Sequence, residues 1–172
     1  PYSATKAAAD MLITAWGRTH DIPYMIIRPT NNYGIGQYVE KLIPKSIKCL
    51  NLGRAIPLHN QGLPKRSWLH ASDTANAVVT LIEKGTIGEI YNVGGTEYSN
   101  IDVVNHIINI YYANNYANVP TKLLDFSYSR VGQDVRYALD DSKIRALNWK
   151  PEKLLFDELV PIVEYYKRNH IW

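Results

Sequence analysis

Tyr2 and Lys6 stand four residues apart in the stretch Pro1-Tyr2-Ser3-Ala4-Thr5-Lys6-Ala7-Ala8-Ala9-Asp10. On a helix that spacing puts both side chains on one face, one turn from each other. A phenol is a weak base at neutral pH, and an ammonium one turn away favours its anion by charge attraction. Such a pair can take a proton from an alcohol and give it back. With 13 tyrosines in 172 residues the spacing arises readily by chance, and a surface tyrosine beside a lysine whose stem lies along apolar surface is its plainer reading. The context adds to it. Ser3, Ala4, Thr5, Ala7, Ala8 and Ala9 are small, so a flat cofactor or a partner helix can approach the backbone closely.

The elements that must hold this pair follow from periodicity. From Ser3 to about His20 the apolar positions Ala8, Met11, Leu12, Ala15 and Trp16 recur at intervals of three and four, which predicts an amphipathic helix. Asp21-Ile22-Pro23 breaks it, and Tyr24-Met25-Ile26-Ile27 predicts a short buried parallel strand. A helix and strand with a short break between them form half of a doubly wound α/β unit, whose ligands sit outside the carboxyl edge of the sheet. The loop Thr30-Asn31-Asn32-Tyr33-Gly34 falls at that edge. Next, Glu40-Lys41-Leu42-Ile43-Pro44 opens a helix to about Leu52, offering free backbone N–H groups and a cation to an anionic ligand. Ala55 to His59 and Lys65 to His70 predict strands, Asp73 to Lys84 a helix, and Gly88 to Gly95 a strand ending in a glycine pair read as a tight turn. A helix begins near Asn100, a strand covers Lys122 to Phe126, and closing helices run within Asp140–Trp149 and Phe156–Lys167.

In order and near-spacing, several of these segments resemble the extended short-chain dehydrogenase/reductases, and within them the nucleotide-sugar 4,6-dehydratases acting on dTDP-glucose or UDP-glucose. The segments are P-Y-S-A-T-K-A-A-A-D, N-N-Y-G, E-K-L-I-P, the strand pair carrying Pro57-Leu58-His59 and Arg66, and Arg130-Val131-Gly132-Gln133-Asp134-Val135-Arg136-Tyr137. The resemblance implies an α/β fold: part of a doubly wound, Rossmann-like parallel sheet plus a smaller mixed α/β substrate-binding domain. Residues 1–32 would be the active-site helix and following strand of the NAD-binding domain. Residues 33–172 would be mainly nucleotide-sugar-binding, with some elements returning to the sheet. It implies NAD as cofactor, Tyr2 and Lys6 as the catalytic pair beside it, and Asn31 between cofactor and sugar. Glu40, Lys41 and Leu42 would touch the diphosphate and sugar, Pro57 and His59 the base, Arg66 and Arg130 the phosphates, Gln133 the base or ribose, and Asn100 the pyrimidine edge. His59 stands where many bacterial members carry tyrosine, Asn60 where glycine is usual, and Val131 where proline is usual.

The family's Gly-rich pyrophosphate turn and its Asp-Glu pair for water loss precede the Tyr/Lys helix and are not in this sequence, whose glycines form no G-x-G-x-x-G. The expectation is therefore a C-terminal half that is inactive alone. A 4-epimerase shares the fold and the Tyr/Lys pair, and a catalytically dead nucleotide-sugar-binding module would also carry these segments. Bulk properties narrow the remaining classes. The chain is 46% hydrophobic, enough for a core, and its net charge of +3 comes without a Lys/Arg run, which argues against nucleic acid. The lone Cys49 excludes an internal disulfide, and no Cys/His group has metal-ligand spacing. With no apolar run near eighteen residues, neither a membrane span nor a membrane partner is expected, and a cytoplasmic protein is. The face holding Met11, Leu12 and Trp16 fits a homodimer of the full-length protein or a cover for the sheet.

Overall fold

The structure, a computed structural model, describes residues 1–113 and 122–169, so the aromatic, Asn-rich stretch Ile107 to Tyr116, whose sequence predicts a helix end and loop, lies partly outside the described residues. The chain is α/β, as the sequence implied. Helix α1 spans Tyr2–His20 and ends where Asp21 turns left-handed (φ 53°, ψ 38°) and its N–H bonds the Gly17 carbonyl, with Arg18 and His20 complementing the helix dipole in the last turn. Strand β1 (Ile26–Pro29) follows, two residues later than its apolar run suggested. Strand β2 (Asn31–Tyr33) occupies what reads in sequence as a loop, because its backbone finds a parallel partner in β4. Helix α2 (Leu42–Asn51), β3 (Ile56–Pro57), β4 (Lys65–His70), α3 (Ala71–Lys84) and β5 (Ile90–Val93) come next. They are followed by β6 (Thr96–Ser99), α4 (Asn100–Tyr111), β7 (Leu124–Asp125), α5 (Ser142–Arg145) and α6 (Leu155–Arg168).

Three small sheets result: parallel β1–β5, mixed β2–β4–β6, and parallel β3–β7. Two apolar cores flank them. One gathers Tyr33, Ile47, Leu58, Trp68, Val104, Ile107, Leu159 and Ile162 from α2, α4, α6 and the strands beneath. The other holds Leu69, Ala77, Leu81, Tyr91, Val93, Ile144 and Trp149, with Met25 and Ile27 against it. Strand β4 serves both, because alternate side chains leave a strand on opposite faces: Trp68 enters the first core and Leu69 the second.

Two sequence readings change here. The apolar stripe of α1 covers no sheet. Among the described residues it meets neither core: no residue of α1 is buried, and Met11, Leu12 and Trp16 are 67, 62 and 58% exposed. The pair Gly94-Gly95 makes no tight turn: it is an irregular link between β5 and β6, and neither residue has positive φ. Gly95 is needed for closeness: β6 starts against β4, and a Cβ there would overlap the Trp68 carbonyl oxygen.

Candidate active site

Tyr2 and Lys6 lie one turn apart at the start of α1, and Tyr2 is 77% exposed. Among the described residues no hydrogen bond engages the Tyr2 hydroxyl or the Lys6 ammonium, so both are open to a ligand. What fixes their helix is Asp10. Its Oδ2 accepts from Arg28 of β1, at 2.8 Å from Nε and 2.6 Å from Nη2. Residues 21–25 separate α1 from β1.

Asn31 opens β2 beside Trp68 of β4 and is exposed. Its neighbour Asn32 points the other way and is locked there. The Asn32 Oδ1 accepts from the Thr74 hydroxyl at 2.5 Å, its Nδ2 donates to the Thr30 carbonyl at 2.9 Å, and its carbonyl accepts from Gln37 Nε2 at 2.7 Å. Nothing in the sequence singled out Asn32 over Asn31, since the reading of a loop hid their alternation. The Asn32–Thr74 bond ties the strand that carries Asn31 to the start of α3, where the His70 ring caps the helix by accepting from Ser72 N–H at 3.2 Å. Between them Tyr33 is buried edge-on against the His70 ring, at 5.1 Å between centroids. Its hydroxyl has no hydrogen-bond partner among the described residues, and burial, then Glu158 and Asp73, pushes its pKa above the ordinary tyrosine value.

Glu40 and Lys41 precede α2, whose first residue is Leu42 and whose N-cap is Lys41. The two side chains pair at 2.8 Å on the surface, and that hydrogen bond holds the Glu40 carboxyl below its usual range. One of the three N–H donors of the Lys41 ammonium is thus engaged, and the others remain for a phosphate.

The densest grouping of predicted residues is elsewhere. Pro57 sits in β3 beside Asp125, and the turn His59–Gly62 then leads into β4. The His59 ring meets Tyr128 edge-on at 5.8 Å. Asn60 binds the segment carrying Arg130 and Gln133: its Oδ1 accepts from Arg130 N–H at 3.2 Å, and its Nδ2 donates to Gln133 Oε1 at 3.1 Å. Arg66 is half-buried, donates to the Asp134 carbonyl at 3.0 Å and lies 4.9 Å from the centre of the Tyr137 ring. Asn100 starts α4 with its N–H on the Pro64 carbonyl at 3.1 Å. This end of α4 comes close because Gly62, at φ 72°, has no Cβ to meet Ile101. His59, Arg66, Asn100, Arg130 and Gln133 are thus brought around one turn. Among the described residues no hydrogen bond or ion pair joins the Tyr2–Lys6 helix or the Glu40–Lys41 pair to them.

Chemically, this surface offers two guanidiniums for an anion, amides for a polar ring edge and aromatic faces for stacking. The Tyr2 hydroxyl, the Lys6 ammonium and the Asn31 amide are a donor set suited to a ribose and carboxamide. Ribose and carboxamide are the groups at the nicotinamide end of a dinucleotide. Among the described residues no group of three His, Cys, Asp or Glu could hold a metal, and no helix is long and apolar enough to cross a membrane. A cavity of about 480 Å³ lined by Gly17, Arg18, Asp21, Tyr24 and Ile87, among others, lies at the far end of α1 from Tyr2, and none of the predicted site residues lines it.

Residues 1–94 match the model of the NAD dependent epimerase/dehydratase family. A dTDP-glucose 4,6-dehydratase of Streptomyces niveus is 39% identical over 176 residues, covering all of this chain and 50% of that protein. The crystal structure of a dTDP-glucose 4,6-dehydratase from Bacillus anthracis in complex with NAD superposes with a TM-score of 0.86 at 36% identity, over 98% of this chain and 52% of that one. A UDP-glucuronic acid 4-epimerase from Bacillus cereus also reaches 0.86, over 98% and 52% of the two chains, but at 23% identity, which is a likeness of fold alone. The chain spans about half the length of the curated relatives it matches. With that match over more than half its length, the chain belongs to the NAD dependent epimerase/dehydratase family.

Proposed function

We propose that this chain carries the Tyr/Lys pair and the nucleotide-sugar-binding half of an NAD-dependent dehydratase that turns dTDP-glucose or UDP-glucose into the 4-keto-6-deoxy sugar nucleotide. The observation that carries the reading is the joining of the Arg66 and Arg130 segments around one turn, which gives a diphosphate two planar cations and a base the neighbouring aromatic and amide groups. In this reading Arg66 and Arg130 bind the diphosphate, Gln133 and Asn100 the base or ribose, and Pro57 and His59 lie along the base. Glu40, Lys41 and Leu42 close over the diphosphate and sugar.

Tyr2 takes the proton of the sugar 4-hydroxyl as carbon 4 gives up its hydride, leaving the 4-keto group, and Lys6 supplies a cation one helical turn from the phenol oxygen. Asn31 orients the sugar beside the nicotinamide. NAD, when bound, supplies an acceptor for the hydride of carbon 4 and a donor for its return at carbon 6. Residues 1–32 belong with the cofactor side, a division supported by Met25 and Ile27 packing with β5, α3 and α5 on one core. The exposed Met11, Leu12 and Trp16 face of α1 is suited to a second copy, and the reaction belongs in the cytoplasm.

The relative at 39% identity favours a dehydratase over a 4-epimerase, whose similar structure is matched at 23%. The test is incubation of the full-length protein with NAD and each of dTDP-glucose and UDP-glucose, with products read by mass. Loss of one water from the sugar nucleotide supports the reading. A product of unchanged mass with inverted carbon 4 means an epimerase, and tight binding with no turnover means a binding module.

A further inference from the structure

We propose that Asn60 is the positioning residue of the nucleotide site, setting both the place of Arg130 and the polarity that Gln133 presents; the inference rests on the nucleotide-sugar reading above. Asn60 and Gln61 are consecutive left-handed residues (φ 50°, ψ 43° and φ 59°, ψ 15°), a turn in which glycine would sit at lower cost. The backbone therefore does not need a side chain there. What the asparagine adds is a set of bonds to a segment some 70 residues further on. Its main-chain N–H donates to the Tyr128 carbonyl at 3.1 Å, which any residue could do. Its side chain alone reaches Arg130 N–H (3.2 Å), the Arg130 carbonyl (3.4 Å) and Gln133 Oε1 (3.1 Å).

The segment has little else to hold it. Val131 is 98% exposed, Gly132 is left-handed at φ 71°, the Gln133 N–H closes a local turn on the Arg130 carbonyl at 3.4 Å, and among the described residues the next bonds to the rest of the fold are at Asp134 and Val135, from Arg66 and from Lys65 N–H. Removing the amide frees Arg130 and Gln133 together. The bond to Gln133 also fixes which end of that side chain faces outward. With Oε1 taken by Asn60, Gln133 is left with its N–H2 group, so it reads an acceptor on the ligand: a ring carbonyl, a hydroxyl or a phosphate oxygen.

Two substitutions in the full-length protein separate these roles. Asn60→Gly suits the backbone and deletes the tether. Asn60→Asp keeps an acceptor for Arg130 N–H but has no donor for Gln133, whose amide then turns to donate inward and shows its oxygen to the ligand. Amide hydrogen exchange at Arg130, melting temperature, and titration with dTDP and with UDP are the readouts. For Asn60→Gly we expect a melting temperature no lower than wild type, faster exchange at Arg130, and nucleotide affinity weaker by about tenfold. For Asn60→Asp we expect Arg130 protection to persist while affinity stays weakened, a split that a purely structural role would not produce. Wild-type exchange and wild-type affinity in Asn60→Gly overturn the proposal. If the wild type binds neither nucleotide, the nucleotide-sugar reading fails, and the exchange result still decides whether Asn60 orders the segment.

Discussion

Arg28 of β1 and Asp10 of α1 form the tie between the helix that carries Tyr2 and the sheet, with two guanidinium nitrogens on one carboxylate oxygen at 2.6 and 2.8 Å. Arg28 is half exposed, so the pair contributes little to stability, on the order of 1 kcal/mol or less. Its effect is on position. Asp10→Ala is therefore expected to leave the unfolding midpoint nearly unchanged while lowering kcat about tenfold or more, because a small misplacement of a reacting group is costly. Denaturant melts and steady-state rates on the same preparations check this.

Tyr2→Phe keeps the ring and removes only the proton-transfer oxygen. We expect kcat to fall by about 10²- to 10⁴-fold, the usual weight of a general acid–base group. Titration with dTDP and UDP should give wild-type affinity, since the proposed nucleotide surface is the one around the His59–Gly62 turn. An unchanged kcat would remove Tyr2 from the mechanism.

Arg66→Lys keeps the charge and loses the planar fork. One nitrogen of Arg66 already serves the Lys65 and Asp134 carbonyls, so the remaining face is what a phosphate would meet. Affinity for dTDP or UDP is expected to fall by about tenfold to a hundredfold, as for a lost charge-assisted hydrogen bond. Calorimetric titration reads it.

Gly95→Ala would drive a methyl group into the Trp68 carbonyl, a backbone atom that cannot rotate aside. A loss of stability of about 3 kcal/mol or more is expected, at the upper end of overpacking costs. Thermal melts would show it as a markedly lower Tm.

Tyr33→Phe removes a buried hydroxyl that finds no partner among the described residues, and a gain of about 1 kcal/mol is expected at neutral pH. Burial raises the Tyr33 pKa in the folded state, so the unfolded chain loses the proton first as pH climbs. The resulting stability is present in full below the ordinary tyrosine value near 10 and declines above it, by about 1.4 kcal/mol per pH unit. Tyr111 and Tyr166 are shifted in the same direction. The contribution of Tyr33 is therefore the difference between wild-type and variant slopes in denaturant melts from pH 9 to about 11.

The helices were legible in the sequence because their apolar spacing survives in isolation: α2 and α6 bury the stripes that their periodicity marks. The strands β2 and β6 were not, because three or four residues rich in Asn, Thr and Glu carry no local signal and are strands only through their pairing with β4. The exposed stripe of α1 shows the converse, since periodicity marks an apolar face and is silent on what meets it. At the candidate site, Arg66 and Arg130 could be picked out through a resemblance between segments. Asn60 stood out only as a departure from a usual glycine, and the bonds that Asn60, Asp10 and Asn32 make could not be foreseen, because each reaches a residue distant in the chain and spacing along the sequence carries no trace of it.

Strand β4 hands Trp68 to one core and Leu69 to the other. It works as a rivet through two plates. Swinging one plate against the other would have to break the pairing of β4 with β2 at Trp68–His70 and with β6 at Lys65–Trp68, so wrapping a substrate is left to the turns and side chains at the rim.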